Sequence, residues 1–266
     1  MPVPVGDARR GYVNAMFGRI ARRYDLMNSL MTFGLDRGWR AAAVRVAAPP
    51  VSGLALDVGT GTGKLALRLA EEMPAGRVLA ADFTVPMLRA GQPALRREGR
   101  GRVAFVAADA LELPFPPDMF DCVVSAFAVR NLADVERGFR EQARVAKPGG
   151  RVVCLELTTP PNPLFAGLFR VYFRGLVPRL GGLIAGDSEA YTYLPESVAQ
   201  FLRPRALAAA MRAAGLERVR YRRLGFGAVA LHIGAKPSPS EARLRQPSPR
   251  GRGSGSHRRQ AVLEDR

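Results

Sequence analysis

Residues 54–70, LALDVGTGTGKLALRLA, place three alternate glycines between two apolar runs, with an acid just before them. The short run before the glycines is typical of a buried strand, and the periodic run after them is typical of an amphipathic helix. Glycine lets the backbone approach a ligand closely, and the first N–H groups of a helix attract its polar groups. The segment therefore predicts a strand, a glycine loop and a helix that hold a nucleotide-like ligand.

The rest of the chain alternates short apolar runs with longer helical ones, which predicts an α/β fold with a mostly parallel sheet. We expect a sheet of seven strands with helices on both faces. The short LGFG link near residue 225 predicts an antiparallel hairpin at the edge of this sheet. The predicted strands are 54–58, 77–81, 103–107, 121–127, 151–157, 217–223 and 227–234. The predicted helices are 63–73, 85–98, 133–146 and 204–214, with KPGG at 147–150 as a helix stop.

Three regions differ in composition. Residues 1–50 are helical in pattern and predict a lid, 51–237 form the core domain, and 238–266 are rich in Pro, Ser, Gly and Arg. We expect this last segment to be a disordered basic tail, because it has too few apolar residues to offset the entropy of ordering. It carries 7 Arg against 3 acids, so the remaining 33 basic and 20 acidic residues leave the body at +13 of the total +17. Such charge favours a phosphate-rich partner, either nucleic acid or an anionic membrane.

The cysteines and histidines do not predict a metal site. Cys122 and Cys154 each lie alone in an apolar run, and His232 and His257 are far apart in the sequence, so we expect buried thiols and no metal. The N-terminal residues lack the apolar core of a signal peptide, and arginines interrupt the longest apolar stretch. We therefore expect a cytoplasmic protein.

The glycine spacing distinguishes between ligands. A dinucleotide loop needs a glycine where Lys64 stands, and a phosphate loop needs Ser or Thr where Leu65 stands. The spacing D-x-G-x-G-x-G instead resembles the first motif of class I S-adenosylmethionine-dependent methyltransferases. An acid beside the loop suits a ligand that carries an ammonium and a sulfonium. The resemblance implies a Rossmann-like fold and these cofactor-binding residues: Asp57, Gly59, Gly61, Thr62, Gly63, Asp82, Phe83, Asp109, Ala110 and Ser125.

Longer stretches narrow the resemblance. FGRIARRYDLMNSLMTFGLDRGWR (17–40) and FDCVVSAFAVRNLADVERGFREQARVAKPGGRVVCLELTTP (120–160) resemble the ubiquinone/menaquinone biosynthesis C-methyltransferase family. The similarity continues through 191–201 and 227–237, so that only the tail lies outside it. Asp36 stands where this family usually carries histidine, and Ala128 and Val129 replace its usual Gly and Leu.

The resemblance implies methyl transfer from S-adenosylmethionine to a ring carbon of a polyprenylated quinol. Demethylmenaquinol is the preferred acceptor, and 2-methoxy-6-polyprenyl-1,4-benzoquinol of the ubiquinone route is the alternative. Such a site must align the acceptor carbon and deprotonate the neighbouring ring hydroxyl. The candidate bases are Asp25 and Asp36, and the groups that could orient the ring or a phenolate are Tyr24, Arg130, Asn131, Tyr191 and Tyr193.

Two other function classes stay open at this point. An RNA methyltransferase would explain the positive charge, but SAFAVRN stands after the fourth strand where base methyltransferases often carry a Pro-Pro-aromatic motif, so no nucleic acid is expected. A cofactor-binding protein without activity would be distinguished by a binding measurement. The apolar insertion at 162–186 suits either core burial, the commoner arrangement, or contact with an anionic membrane at its inner face.

Overall fold

A seven-stranded sheet forms the centre of the molecule. The computed structural model describes residues 6–238, and its strands lie in the order β3-β2-β1-β4-β5-β7-β6. Only β7 runs antiparallel to its neighbours β5 and β6. The strands are β1 Leu54–Val58, β2 Arg77–Asp82, β3 Val103–Ala107, β4 Phe120–Ala126, β5 Ala146–Leu157, β6 Glu217–Leu224 and β7 Val229–Ala235. The predicted fold class is confirmed, including the edge hairpin.

Helices cover both faces of this sheet and one of its edges. They are α1 Gly6–Ile20, α2 Tyr24–Met31, α3 Leu35–Ala47, α4 Lys64–Glu72, α5 Val85–Glu98, α6 Val135–Val145, α7 Pro163–Val171, α8 Val177–Ala185, α9 Ser188–Gln200 and α10 Pro204–Ala213. Side chains of successive strand residues point to opposite faces. One core cluster therefore packs β1 and β4 against α3, α4 and α5, and the other packs the same strands against α6 and α10.

The glycine loop connects β1 to α4, as predicted. Gly59, Gly61 and Gly63 have φ angles of 67°, 59° and 87°, which side chains with a Cβ seldom adopt. A Cβ on Gly59 would also lie 2.4 Å from the Cβ of Ala128. This loop follows the carboxyl end of β1, the edge at which open α/β sheets bind ligands.

A third cluster of apolar side chains lies above that edge. It packs α1 and α2 against α8, α9 and the turn between α7 and α8. Helix α3, which we expected to be part of the lid 1–50, packs into the main core through Ala43 and Val44. Apart from Ser238, the predicted tail 238–266 lies outside the described residues.

The apolar insertion is helical but does not bury its first helix. A π-helical turn, Tyr172–Leu176, separates α7 from α8 just before Pro178, because proline cannot donate to the preceding turn and clashes with it. Phe173 and Val177 are buried, but α7 has no buried residue. Of the two arrangements that the sequence allows, α7 therefore takes the exposed one, and core burial, the commoner arrangement, does not apply to it.

The helix stop at 147–150 also differs in detail. Helix α6 ends at Val145, and β5 begins with Ala146, which pairs with Phe120 of β4. The KPGG segment therefore belongs to the start of a strand, where Gly149 has a φ of 78°. The two cysteines are free and buried, as expected.

Candidate functional site

The main cavity lies at the carboxyl ends of β1, β2 and β4, beneath α1 and α2. The glycine loop forms its floor, and α1 contributes Val13 and Phe17 to its roof. Most of the residues predicted to bind the cofactor line it together: Asp57, Gly59, Gly61, Thr62, Asp82, Phe83, Ala110 and Ser125. The cavity is thus a partly enclosed site with acids on one wall and apolar side chains on the other.

Asp57 is buried with one oxygen unpaired. The Thr60 hydroxyl donates to its Oδ2 at 2.6 Å, whereas Oδ1 has no hydrogen-bond partner. Burial raises the pKa of Asp57 to about 7, although the Thr60 hydrogen bond and the nearby Arg40 guanidinium act to lower it. A buried carboxylate that lines a cavity and has one oxygen without a partner is suited to a cationic ligand group.

Asp82 holds the glycine loop in place. Its Oδ2 accepts the backbone N–H of Gly61 at 2.8 Å, and its Oδ1 accepts that of Thr84 at 2.8 Å. Burial raises the pKa of this carboxyl, and the two N–H donors act to lower it. Because each carboxylate oxygen has a second lone pair, Asp82 can also accept from ligand hydroxyls.

Two of the predicted cofactor residues lie outside the cavity. Gly63 is at the start of α4, and a Cβ there would lie 3.0 Å from the Phe105 ring. Asp109 follows β3, where its Oδ1 accepts the N–H of Leu111 at 2.9 Å and its Oδ2 lies 3.0 Å from Arg10 of α1. Both oxygens of Asp109 therefore have protein partners.

A second cavity adjoins the first and is lined by two of the catalytic candidates. The two cavities share Arg40 and Phe127. Among the catalytic candidates, Tyr24 and Asn131 line the first cavity, whereas Asp36 and Arg130 line the second. The second cavity is otherwise lined mainly by apolar side chains: Met31, Leu157, Phe173 and Leu194.

Asp36 is a buried carboxylate at the wall of the second cavity. The Thr32 hydroxyl donates to its Oδ1 at 3.1 Å, and the Arg40 guanidinium lies 3.8 Å from its Oδ2. The same guanidinium lies over the Phe127 ring, 5.2 Å from its centroid, a contact that favours the cation. Arg40 therefore connects the acids of the two cavities. Sequence analysis missed it, although its spacing four residues after Asp36 on a helix is a signal of pairing.

Asp25 lies between α2 and the glycine loop. Its Oδ1 accepts from the Thr62 hydroxyl at 2.7 Å, and its Oδ2 lies 3.6 Å from Lys64 Nζ. These contacts tie α2 to the loop below it. They also occupy both oxygens of the carboxylate.

Arg130 forms a buried ion pair with Glu156 of β5. Its Nη1 donates to Glu156 Oε1 at 2.8 Å, and its backbone N–H donates to Oε2 at 3.1 Å. Burial acts to lower the pKa of Arg130, but the charge and hydrogen bond of Glu156 together with the nearby Tyr24 and Tyr193 raise it overall. Sequence analysis missed Glu156, which is the one acid in the apolar run of β5.

The two candidate tyrosines lie on α9. Tyr193 donates to Asn131 Oδ1 at 3.1 Å, and Tyr191 is buried under α1 and α2.

The strand order, the glycine loop and the acids at the strand ends define the fold of the class I methyltransferases. An S-adenosylmethionine-dependent methyltransferase from Thermotoga maritima has this fold, with a TM-score of 0.58 at 18% identity over 84% of this chain and 98% of that one. Residues 5–236 match the ubiE/COQ5 methyltransferase family, and the chain belongs to that family.

Relatives at higher identity carry two related names. A demethylmenaquinone methyltransferase from Roseiflexus castenholzii is 49% identical over 234 residues, which cover 88% of this chain and 97% of the relative. A ubiquinone/menaquinone biosynthesis C-methyltransferase from Syntrophotalea carbinolica is 43% identical over 221 residues, or 83% and 92% of the two chains. Similarity therefore spans nearly the whole length of both relatives.

Metal-ligand clusters and membrane-spanning helices are absent from the described residues. Between residues 6 and 238, no three His, Cys, Asp or Glu side chains are grouped as metal ligands would be. Within the same residues, no helix has the length and apolar character needed to cross a bilayer.

Proposed function

We propose that this protein transfers a methyl group from S-adenosylmethionine to a ring carbon of demethylmenaquinol. The observation that carries the proposal is the pair of adjoining cavities, one with an unpaired buried carboxylate and one apolar with a buried acid at its wall. Membership of the ubiE/COQ5 family and the name of the Roseiflexus relative support this acceptor.

The main cavity suits the methyl donor. The free Oδ1 of Asp57 fits the ammonium of the methionine portion, and Asp82 fits the ribose hydroxyls. The glycine loop provides a floor without side chains, and Phe83 and Ala110 provide apolar contacts for the base. When bound, the cofactor would supply a methyl group on a positively charged sulfur, an electrophile that needs no metal.

The second cavity suits the acceptor ring. Asp36 would take the proton from the ring hydroxyl, which raises the electron density on the neighbouring carbon. Arg40 and the Arg130 side chain would stabilise the resulting phenolate electrostatically. Tyr24 and Asn131, on the wall of the first cavity, would orient the ring toward the donor. The ring carbon would gain the methyl group as the methyl–sulfur bond breaks, and it would then lose its own proton to solvent while Asp36 returns the hydroxyl proton to the ring oxygen.

Asp25 has a different role in this proposal. Since Thr62 and Lys64 occupy its carboxylate, we assign it to positioning the glycine loop rather than to proton transfer.

Substitutions distinguish the roles of Asp36 and Asp25. Asp36→Asn should lower kcat by about 100-fold or more with little change in cofactor affinity. Asp25→Asn should raise the cofactor Kd and leave kcat within a few-fold of wild type, because it loosens only the cofactor loop.

Methyl transfer from labelled S-adenosylmethionine tests the acceptor directly. Purified protein in liposomes is given reduced demethylmenaquinol, 2-methoxy-6-polyprenyl-1,4-benzoquinol or total RNA in parallel. Label in demethylmenaquinol alone supports the proposal, and label in the benzoquinol would favour the ubiquinone route. Label in RNA alone would overturn the quinol acceptor.

We also propose that the protein meets an anionic membrane through an exposed apolar face. This face comprises Leu26, Leu30 and Phe33 of the α2 region, Leu164, Leu168 and Val171 of α7, and Phe226 between β6 and β7. Its parts are joined by contacts: Phe226 stacks on Phe165 at 5.2 Å between ring centroids, and Phe33 lies 5.9 Å from Tyr172. Large exposed apolar patches mark interaction sites. Met31 of α2 and Phe173 beside α7 line the second cavity, so the elements that carry the exposed face also form the cavity wall, and a prenyl tail bound there would leave the cavity beside this face.

A further inference from the structure

Gln142 of α6 is a buried amide without a partner. Its side chain is fully buried and lines the main cavity. Neither its Oε1 nor its Nε2 has a hydrogen bond to any described residue. Buried polar groups are nearly always paired, and an unpaired one destabilises the fold. Gln142 thus presents an unused donor and an unused acceptor to the cavity.

The neighbours of Gln142 show which end of the cavity it faces. The N–H of Leu113 donates to Glu141 Oε2 at 2.8 Å, and the Arg144 guanidinium donates to the Leu113 carbonyl at 2.9 Å. These hydrogen bonds therefore hold helix α6 against the segment that follows β3. Gln142 lies between Glu141 and Arg144 in the sequence, and it lines the cavity together with Ala110 and Leu132. Ala110 is also the residue that the proposed function assigns to the base, so Gln142 lies on the base side of the cavity in the proposed cofactor orientation.

Asp109, which the family resemblance implies as a cofactor-binding residue after β3, is already engaged. Asp109 accepts the Leu111 N–H with one oxygen and pairs with Arg10 through the other. An adenine amino group could reach this carboxylate only through its remaining lone pairs, beside two competing protein donors. The amide of Gln142 has no such competitor.

We propose that Gln142 binds the adenine base of S-adenosylmethionine and selects for it. Its carbonyl oxygen accepts from the 6-amino group, and its amide N–H donates to the adjacent ring nitrogen. A carboxamide matches this donor–acceptor edge of adenine, as glutamine does when it contacts adenine in DNA. The proposal depends on the proposed cofactor and is independent of the methyl acceptor.

Isothermal titration with two nucleosides tests it. S-adenosylhomocysteine carries the 6-amino group, whereas S-inosylhomocysteine carries a carbonyl oxygen there, which cannot donate to the Gln142 carbonyl. Wild type should prefer the adenine compound about tenfold or more. Gln142→Leu should bind S-adenosylhomocysteine about tenfold more weakly and should bind the two compounds almost equally. Gln200→Leu, the same change at an exposed site on α9, should keep the wild-type preference.

The outcomes separate this proposal from the proposed function. An unchanged preference in Gln142→Leu would overturn the role of Gln142. Failure of the wild type to bind S-adenosylhomocysteine would overturn both the cofactor and this role, whereas normal binding without quinol methylation would overturn the acceptor alone. Leucine removes two unpaired polar atoms, so the melting temperature of the free variant should equal or exceed that of wild type. If the leucine variant does not fold, Gln142→Met, which is similar in length, provides the same comparison.

Discussion

The Asp57 carboxyl makes cofactor binding depend on pH. Its pKa is raised to about 7 by burial, and only the ionised form attracts an ammonium. The free protein therefore loses this charge as the pH falls through 7. We expect the affinity for S-adenosylhomocysteine to increase roughly tenfold between pH 5.5 and 7.5. Titration calorimetry across this range measures it.

The matched variant is Asp57→Asn, which keeps the shape and removes the titrating charge. Its affinity should be lower than that of wild type at pH 7.5 and nearly constant across the range. Equal wild-type affinities at pH 5.5 and 7.5 would contradict the assignment of Asp57 to the ammonium.

The Arg130–Glu156 pair is a second prediction at the scale of residues. Both side chains are at least 95% buried, so removal of one charge leaves the other uncompensated in the interior. Glu156→Gln should lower the free energy of unfolding by about 3 kcal/mol. The control is Glu72→Gln, which breaks the exposed pair with Arg68 and should cost less than about 1 kcal/mol. Equal costs in urea denaturation would show that the buried pair is not a structural anchor.

Individual residues were predictable where their role follows from local pattern. Asp57 and Asp82 come directly after apolar runs, so their place at the strand ends could be read from the sequence alone. Glu156 and Gln142 depend on partners or cavities formed by distant segments, which no local pattern specifies. Asp109 shows the opposite case, because Arg10 of the N-terminal helix pairs with an acid that the family resemblance assigns to the cofactor.

At the scale of elements, α1 acts as the roof of the main cavity and is held by ion pairs. Arg19 donates to Asp187 at 2.7 Å and lies 3.2 Å from Glu189, and Tyr12 also contacts Glu189 at 3.3 Å. Arg19→Ala should release this end of α1 and increase the dissociation rate of S-adenosylhomocysteine several-fold. Unfolding free energy should change by less than about 1 kcal/mol, because the pairs are partly exposed. Stopped-flow displacement measures the rate.

Salt provides an independent check on the same helix. Raising the ionic strength screens the Arg19 pairs, so it should accelerate dissociation from wild type and have less effect on Arg19→Ala. Arg97→Ala, which removes a pair with its neighbour Glu98 away from the cavity, should behave as wild type. A dissociation rate that Arg19→Ala leaves unchanged would contradict the role of α1 as a fastened roof.

Strands and helices with strong periodicity were predicted closely, whereas packing was not. Strands 54–58 and 103–107 and helix 85–98 have their predicted bounds, because glycine, proline and aspartate mark their ends. The helix predicted over 133–146 ends one residue earlier in the structure, because Ala146 pairs with β4. Helix α7 has an apolar sequence that fits burial or exposure equally well, and only the positions of α2 and the β6–β7 turn decide that it is exposed.

At the scale of the whole molecule, charge and apolar surface act together. The described body is strongly basic, and Arg170, Arg174 and Arg179 are exposed near the apolar face. Arginines would attract anionic headgroups, and α7 would then place its side chains among the acyl chains. Leu164 and Leu168 are 80% and 65% exposed, so replacing both with serine should leave the fold unchanged.

Sedimentation with vesicles of 70% phosphatidylcholine and 30% phosphatidylglycerol tests this contact. Leu164→Ser with Leu168→Ser should reduce vesicle binding about tenfold or more, because each leucine contributes about 1.5–3 kcal/mol when fully buried. Val51→Ser, at an exposed site before β1 on the opposite edge of the sheet, should bind as wild type. The double variant should also methylate vesicle-bound demethylmenaquinol more slowly while retaining activity on a short-chain soluble analogue. If physiological salt abolishes vesicle binding and the double leucine variant binds like wild type at low salt, the contact depends on charge alone. Equal vesicle binding by wild type, the double variant and Val51→Ser would contradict the role of the apolar face in membrane contact.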